Sequence, residues 1–222
     1  MKNIFARGGI EFLAVFLGIA LSLWVDDYRE ERELKNRLED DFQKIYKEVQ
    51  SNIKNIDNII KKNRNHLKSE SKLLDIINKK EEYSFDKSID LIDGLKWPTF
   101  FGETTAYRTS IASGRFNTSD KDTLVRSISL LYEHYFVRLT LNGDILDQRA
   151  FDFLTKYAVK FNKPRFNQQN IDTLKLEKYF FSDEFHNGLL STHDIRKNYY
   201  MHRLNETKNH LNRVQKIFDS LR

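Results

Sequence analysis

Glu11 is the side chain whose type and position most suggest chemistry, because it stands at the lip of one long apolar run, IEFLAVFLGIALSLWV over Ile10–Val25. An ionised carboxylate costs about 3 kcal/mol at the middle of a bilayer and much less near its interface. Arg7 lies four residues before it, the helical spacing at which the two charges neutralise each other. The alternative is an assembly in which several Glu11 side chains, or Glu11 and a partner protein, face one another. Ala14 and Gly18 sit four apart on one helix face and would permit close helix contact there. Glu11, Ala14 and Gly18 are therefore the candidate membrane-embedded polar and helix-contact positions.

Elsewhere the residue patterns exclude more than they offer. None of the histidines (66, 134, 186, 193, 202, 210) forms an HExxH or an i, i+4 pair, so no metal is expected. Ser113-Gly114 lacks the G-x-S-x-G frame of a nucleophile elbow. No GxxxxGK[ST] or GxGxxG is present to cradle a nucleotide, and no cofactor or small-molecule substrate is expected. With no cysteine, disulfides, thiolate metal sites and cysteine nucleophiles are excluded. A carboxylate-rich site in a helical bundle would need Glu-x-x-His pairs, which are missing. The expectation is that no residue is catalytic and that the protein is not an enzyme.

The element that positions Glu11 is the apolar run. It is about 16 residues, roughly 24 Å of helix, against a hydrocarbon core of about 30 Å. Ile4, Phe5 and Ala6 close the gap if Arg7 snorkels to the headgroups. Trp24 and Tyr28 stand where an interfacial aromatic belt would place them. A cleaved signal peptide is the competing reading, with Lys2 and Arg7 as its basic region, but bulky Leu23-Trp24-Val25 follows the small residues Ala20 and Ser22. The short N-terminal tail carries two cations and no acid, which favours an N-in orientation. The four cations after the run (Arg29, Arg32, Lys35, Arg37) argue the other way.

The remaining 26–222 is long enough for a single globular domain. Net charge is +5 with a pI near 9.2. The signs are intermixed, without the concentrated basic face of a nucleic-acid binder. Attraction to anionic lipid is the simpler use of such a charge. From Tyr28 to about Lys80 there is neither proline nor glycine. Apolar residues recur at Leu34, Leu38, Phe42, Ile45, Val49, Ile53, Ile56 and Ile60, an eleven-residue repeat that predicts a nearly straight stripe. Leu67, Leu74 and Ile77 continue it with poorer continuity.

Beyond Trp97-Pro98, which breaks the chain, short helices are predicted over 87–95 and roughly 104–112, the latter ending at Gly114. A capped helix should start near Ser119, with a kink or break at Asn142-Gly143-Asp144. Lys163-Pro164 should open a loop before a short helix over 171–181. Ser191–Asp194 should cap a final helix striped by Tyr200, Leu204, Thr207, Leu211, Val214, Phe218 and Leu221. Tyr135–Leu141 has strand-like residues but no second alternating segment to pair with. Two long striped helices at opposite ends of the domain should pack antiparallel.

Two stretches carry a resemblance. GIEFLAVFLGIALSLWVDDYREERE resembles the N-terminal signature of an uncharacterised group of small bacterial single-pass membrane proteins. There a glutamate precedes a short apolar run with Gly and Ala-Leu, then an aromatic and acidic residues, here Glu11, Gly18, Ala20-Leu21, Trp24, Asp26-Asp27 and Tyr28-Arg29-Glu30. TTAYRTSIASGRFNTSDKDTLVRSISLLYEHY resembles that group's middle element at Ala106-Tyr107, Ser113-Gly114 and Leu124–Tyr135. The resemblance implies an anchored helical protein and no activity.

The sequence thus predicts an all-α protein: a tail and transmembrane anchor over 1–25 continuing into a long stalk helix, and an antiparallel bundle over 26–222. Its expected setting is the bacterial inner membrane, single-pass, with the large domain outside the cytoplasm. Its expected partners are the bilayer and either a homo-oligomer or another membrane protein, with no nucleic acid. It would act by protein contact as a scaffold, sensor-like ectodomain or accessory subunit. The alternative is an oligomeric channel component with clustered anchors.

Overall fold

The computed structural model describes the backbone of residues 2–165 and 171–221, and side chains at 12, 13, 15–162, 164 and 171–221. Every regular element in them is helical, as expected. Helix α1 runs unbroken over Lys2–Ile77, the residues in which the sequence has only its early glycines and no proline to interrupt it. It stops at Lys79, which takes the left-handed conformation (φ 58°) while Lys80 N–H returns to the Asp75 carbonyl at 2.8 Å, a C-terminal cap made without glycine. Among the described residues no helix is long and apolar enough to cross a membrane.

Contacts divide the chain into two units, Met1–Ile45 with Thr105–Lys121, and Tyr46–Thr104 with Asp122–Arg222. In the first unit, α3 (Thr105–Ala112) ends as predicted at Gly114, whose φ of +75° suits a residue without Cβ. Phe116 then packs its ring against Phe42 and Tyr107. Asp41 is buried there and receives Arg115 Nε at 2.9 Å and Ser110 Oγ at 3.1 Å.

In the second unit, α2 (Phe85–Asp93) is followed by an extended strap over 95–104. Helices α4 (Asp122–Leu130) and α5 (Val137–Asp152) join through a π-helical turn, Leu131–Phe136. After α5 come another π turn, Phe153–Tyr157, a 3₁₀ turn and the short α6 (Asn162–Arg165), then α7 (Thr173–Phe180). Helices α8 (Asp183–Asp194) and α9 (Met201–Ser220) are likewise joined by a π turn, Ile195–Tyr200.

The antiparallel pairing of the two long helices is present in this unit. Tyr46 bonds Asp219, Lys208 pairs with Asp57, and Glu70 meets His193 and Arg196, so the partner number falls as the α1 number rises. Val49, Ile56 and Ile60 on α1 and Leu204, Leu211 and Val214 on α9 are buried, the positions that the stripes specify. One end of the unit holds a core rich in rings: Trp97, Phe153, Phe161, Phe180 and Phe185 around Leu73, Ile77 and Ile92.

Several local expectations change. Ser191–Asp194 does not cap a helix: α8 passes through the π turn into α9 without a break. Thr192 Oγ1 instead donates to the Gly188 carbonyl at 2.8 Å. Asn142-Gly143-Asp144 lies inside α5, where Gly143 packs against Thr99 and Tyr200. Ser119 Oγ accepts from Lys121 N–H at 3.1 Å, forming a local turn. Pro164 lies within the helical turn α6 rather than in a loop. Leu34 and Leu221, the outer ends of the two stripes, are exposed.

Candidate functional site

Of the three sequence candidates, Glu11 and Ala14 lie outside the described side chains. Gly18 sits on α1, and a Cβ placed there would meet nothing within 4 Å. Around it every described large apolar side chain from Phe12 to Val25 is exposed, Phe12 at 71% and Trp24 at 65%. Trp24 stacks on Tyr28 with ring centroids 6.1 Å apart at the polar end of the run.

The most constrained polar chemistry lies elsewhere, on the buried face of α1 within the second unit. Glu48, Asn52, Asn63 and Glu70 are all buried there. Glu48 Oε1 accepts from the Tyr132 hydroxyl at 2.7 Å. Asn52 grips one residue of the strap twice: its Nδ2 donates to the Glu103 carbonyl and its Oδ1 accepts from Glu103 N–H, both at 2.8 Å. Asn55 donates to the Phe101 carbonyl at 3.0 Å and Asn63 to the Pro98 carbonyl at 2.8 Å. The strap has no ladder of its own, and these amides supply hydrogen-bond partners to its backbone. From the other side the Tyr200 hydroxyl accepts from Phe100 N–H at 2.7 Å, and burial raises its pKa.

At the far end the side chains become charged. Glu70 and Arg196 are both fully buried, with Arg196 Nη1 3.4 Å from Glu70 Oε1. His193, nine-tenths buried, turns Nδ1 towards Glu70 Oε2 at 3.4 Å. Arg196 Nη2 donates to the Lys96 carbonyl at 2.6 Å, and its guanidinium lies over the Trp97 ring, 5.5 Å from the centroid. These links leave both Glu70 oxygens, His193 Nδ1 and Arg196 Nε and Nη1 without a hydrogen bond. Burial pulls the Arg196 pKa down, and the Glu70 charge opposes that pull. His66 is held below the usual imidazole range, first by burial and then by the Arg196 charge.

His193 opens onto a groove of about 360 Å³ that also carries Lys68, Lys72 and Lys197. The sequence reading placed His193 in a helix cap and did not connect Glu70 with Arg196. The signal available was register: Asn63 and Glu70 fall at the 3 and 4 steps that link Ile60, Leu67 and Leu74. Among the described residues no group of His, Asp and Glu could hold a metal ion.

A family model, described as a family of unknown function (DUF6090), matches residues 10–179. The chain belongs to the DUF6090 family. The match takes in the whole apolar run, Asn52, Asn63, Glu70 and the strap, and it stops before His193 and Arg196. No curated protein and no solved structure matches the chain.

Proposed function

We propose that this DUF6090 protein is a non-enzymatic, membrane-anchored helical protein that works by protein contact, as a scaffold, sensor-like ectodomain or accessory subunit. The observation that carries the reading is the helical stretch from Phe12 to Val25, in which every described large apolar side chain is exposed. In water each such side chain would forgo about 1.5–3 kcal/mol of burial, and lipid removes that cost for the whole surface at once. Trp24 and Tyr28 at the polar end of the run fit an interfacial position, and Asp26-Asp27 begin the aqueous side. The inclusion of the run in the family match supports treating it as an integral part of the protein.

In this reading residues 1–25 are tail and single-pass anchor in a bacterial inner membrane. The tail stays in the cytoplasm and residues 26–222 form the extracytoplasmic helical domain. The partner is a second copy or another membrane protein.

The test is fractionation of the full chain. Wild type should sediment with membranes, resist alkaline carbonate and be released by detergent. Replacing Leu17 and Ile19 together by Lys opposes insertion by about 2.5–3.5 kcal/mol per residue and should move the protein to the soluble fraction. A wild-type protein extracted by carbonate would reject the anchor. A detergent-solubilised particle that is monomeric and partnerless would reject action by contact.

A further inference from the structure

We infer that the groove beside His193 is a binding site for a phosphate-type dianion, such as a phosphomonoester. Its walls are basic in a way that no internal pairing uses. Lys68 and Lys72 stand one turn apart on α1, with Ser71 between them, and Lys197 follows His193 by four residues on the facing helix. Among the described residues none of the three ammonium groups is in an ion pair, whereas Asp75, the nearest acid on that wall, is engaged by Lys80 at 3.4 Å. Glu81 at the edge is the one other carboxylate lining the groove.

The floor adds direction to this charge. His193 is nine-tenths buried and gives Nδ1 to the Glu70 side, which leaves Nε2 as the nitrogen for the groove. An anion seated in the groove would meet His193 through Nε2, with Glu70 at the opposite edge of the ring beside Nδ1. Arg196, on the far side of Glu70, keeps that carboxylate from acting as a net repulsive charge on the anion. Lysines serve phosphate as mobile point charges, and three of them lining one groove with an imidazole suit a dianion better than a singly charged carboxylate. The volume admits a phosphate with a modest organic group, and the open mouth leaves that group partly in solvent.

The experiment uses the purified full chain in detergent, titrated with inorganic phosphate and followed by phosphorus NMR and calorimetry. Wild type should bind saturably. Lys72→Gln and Lys197→Gln should each weaken binding about ten-fold, a factor worth about 1.4 kcal/mol. Lys54→Gln, an exposed lysine elsewhere on α1, should leave it unchanged. His193→Gln, checked for folding by circular dichroism, should weaken it at least as much as either lysine variant. A second arm places the chain in phosphatidylcholine nanodiscs with and without phosphatidic acid. Binding confined to the phosphatidic acid discs, and lost in the same variants, identifies a lipid headgroup as the source of the phosphate. Absence of saturable binding in both arms would overturn the site. So would binding that Lys72→Gln and Lys197→Gln leave untouched. Neither result depends on whether the N-terminal run is an anchor.

Discussion

Asn52 and Glu70 occupy comparable places on the buried face of α1, yet they solve the problem of a buried polar group in opposite ways. Asn52 is neutral and satisfied, with both ends of its amide matched to the backbone of Glu103 at 2.8 Å. Glu70 is ionisable and unsatisfied, with Arg196 and His193 each 3.4 Å away and no hydrogen bond to either oxygen. A neutral amide gains a little from each bond, and its desolvation, far smaller than that of an ion, is offset when both ends are paired. A buried carboxylate is expensive to desolvate and repays that only with close, complete pairing. Asn52, with Asn55 and Asn63, therefore reads as a latch that fixes the strap, whereas the Glu70 cluster holds stability in reserve beside an open groove. Arrangements of that second kind are where functional sites concentrate.

The largest test of the contrast is Arg196→Met. It removes the main counter-charge of Glu70 and should cost about 3–5 kcal/mol, since a buried ion is left uncompensated. Adding Glu70→Gln should recover a substantial part, because the pair together contributes much less than either half stranded. Chemical denaturation of the two single variants and the double variant measures the coupling. If the double variant is as unstable as the sum of the singles, Glu70 and Arg196 do not act as a pair.

The latch should fail more gently. Asn52→Ala removes two bonds and strands the Glu103 backbone groups, for an expected loss of about 1–3 kcal/mol. Hydrogen exchange should localise the effect: Glu103 N–H should lose protection, while amides in α9 keep theirs. Equal loss of protection in the strap and in α9 would mean that the strap is not held separately.

Much of this was legible in residue spacing and some was not. The stripe from Leu38 to Ile60 marks the buried face of α1, and the Tyr200–Phe218 stripe marks that of α9, because one face of a 3.6-residue helix repeats in steps of three and four. The same steps run through Asn63 and Glu70, but a search for apolar types reads them as gaps. Register carried the information and residue type hid it. Asn142-Gly143-Asp144 and Ser191–Asp194 have the residues of breaks and caps, yet both lie within helix. In the first case the small size of Gly143 serves a close approach to Thr99 and Tyr200, and in the second His193 serves Glu70. The three π turns each re-phase a helix by part of a turn, which no fixed period can anticipate. The Glu70–His193–Arg196 cluster joins residues more than a hundred positions apart, so nothing local announces it.

The smallest effect expected separates the two regions by pH. His210 belongs to the neutral part of the bundle: buried, stacked on Tyr135 at 4.4 Å, with Nε2 2.9 Å from the Ser127 carbonyl, to which it must donate. Burial lowers its pKa, the hydrogen bond to Ser127 opposes that, and Arg213 and His134 lower it further. The folded chain therefore holds this proton less tightly than an unfolded imidazole does, with its usual value of about 6.5. Above that pH the group contributes its full stability; as pH falls from there through the folded value, protons bind the unfolded state preferentially and stability is lost. His66, beside Arg196, is shifted in the same direction and adds a parallel loss from the charged end. Urea midpoints of wild type should therefore fall as pH drops below about 6.5. His210→Gln retains an amide donor for Ser127 and cannot titrate, so it should flatten part of that fall, and His66→Gln another part. A wild-type midpoint that is level across this range would mean that neither imidazole is kept neutral by the fold. A slope that survives both substitutions would assign the acid response to other groups.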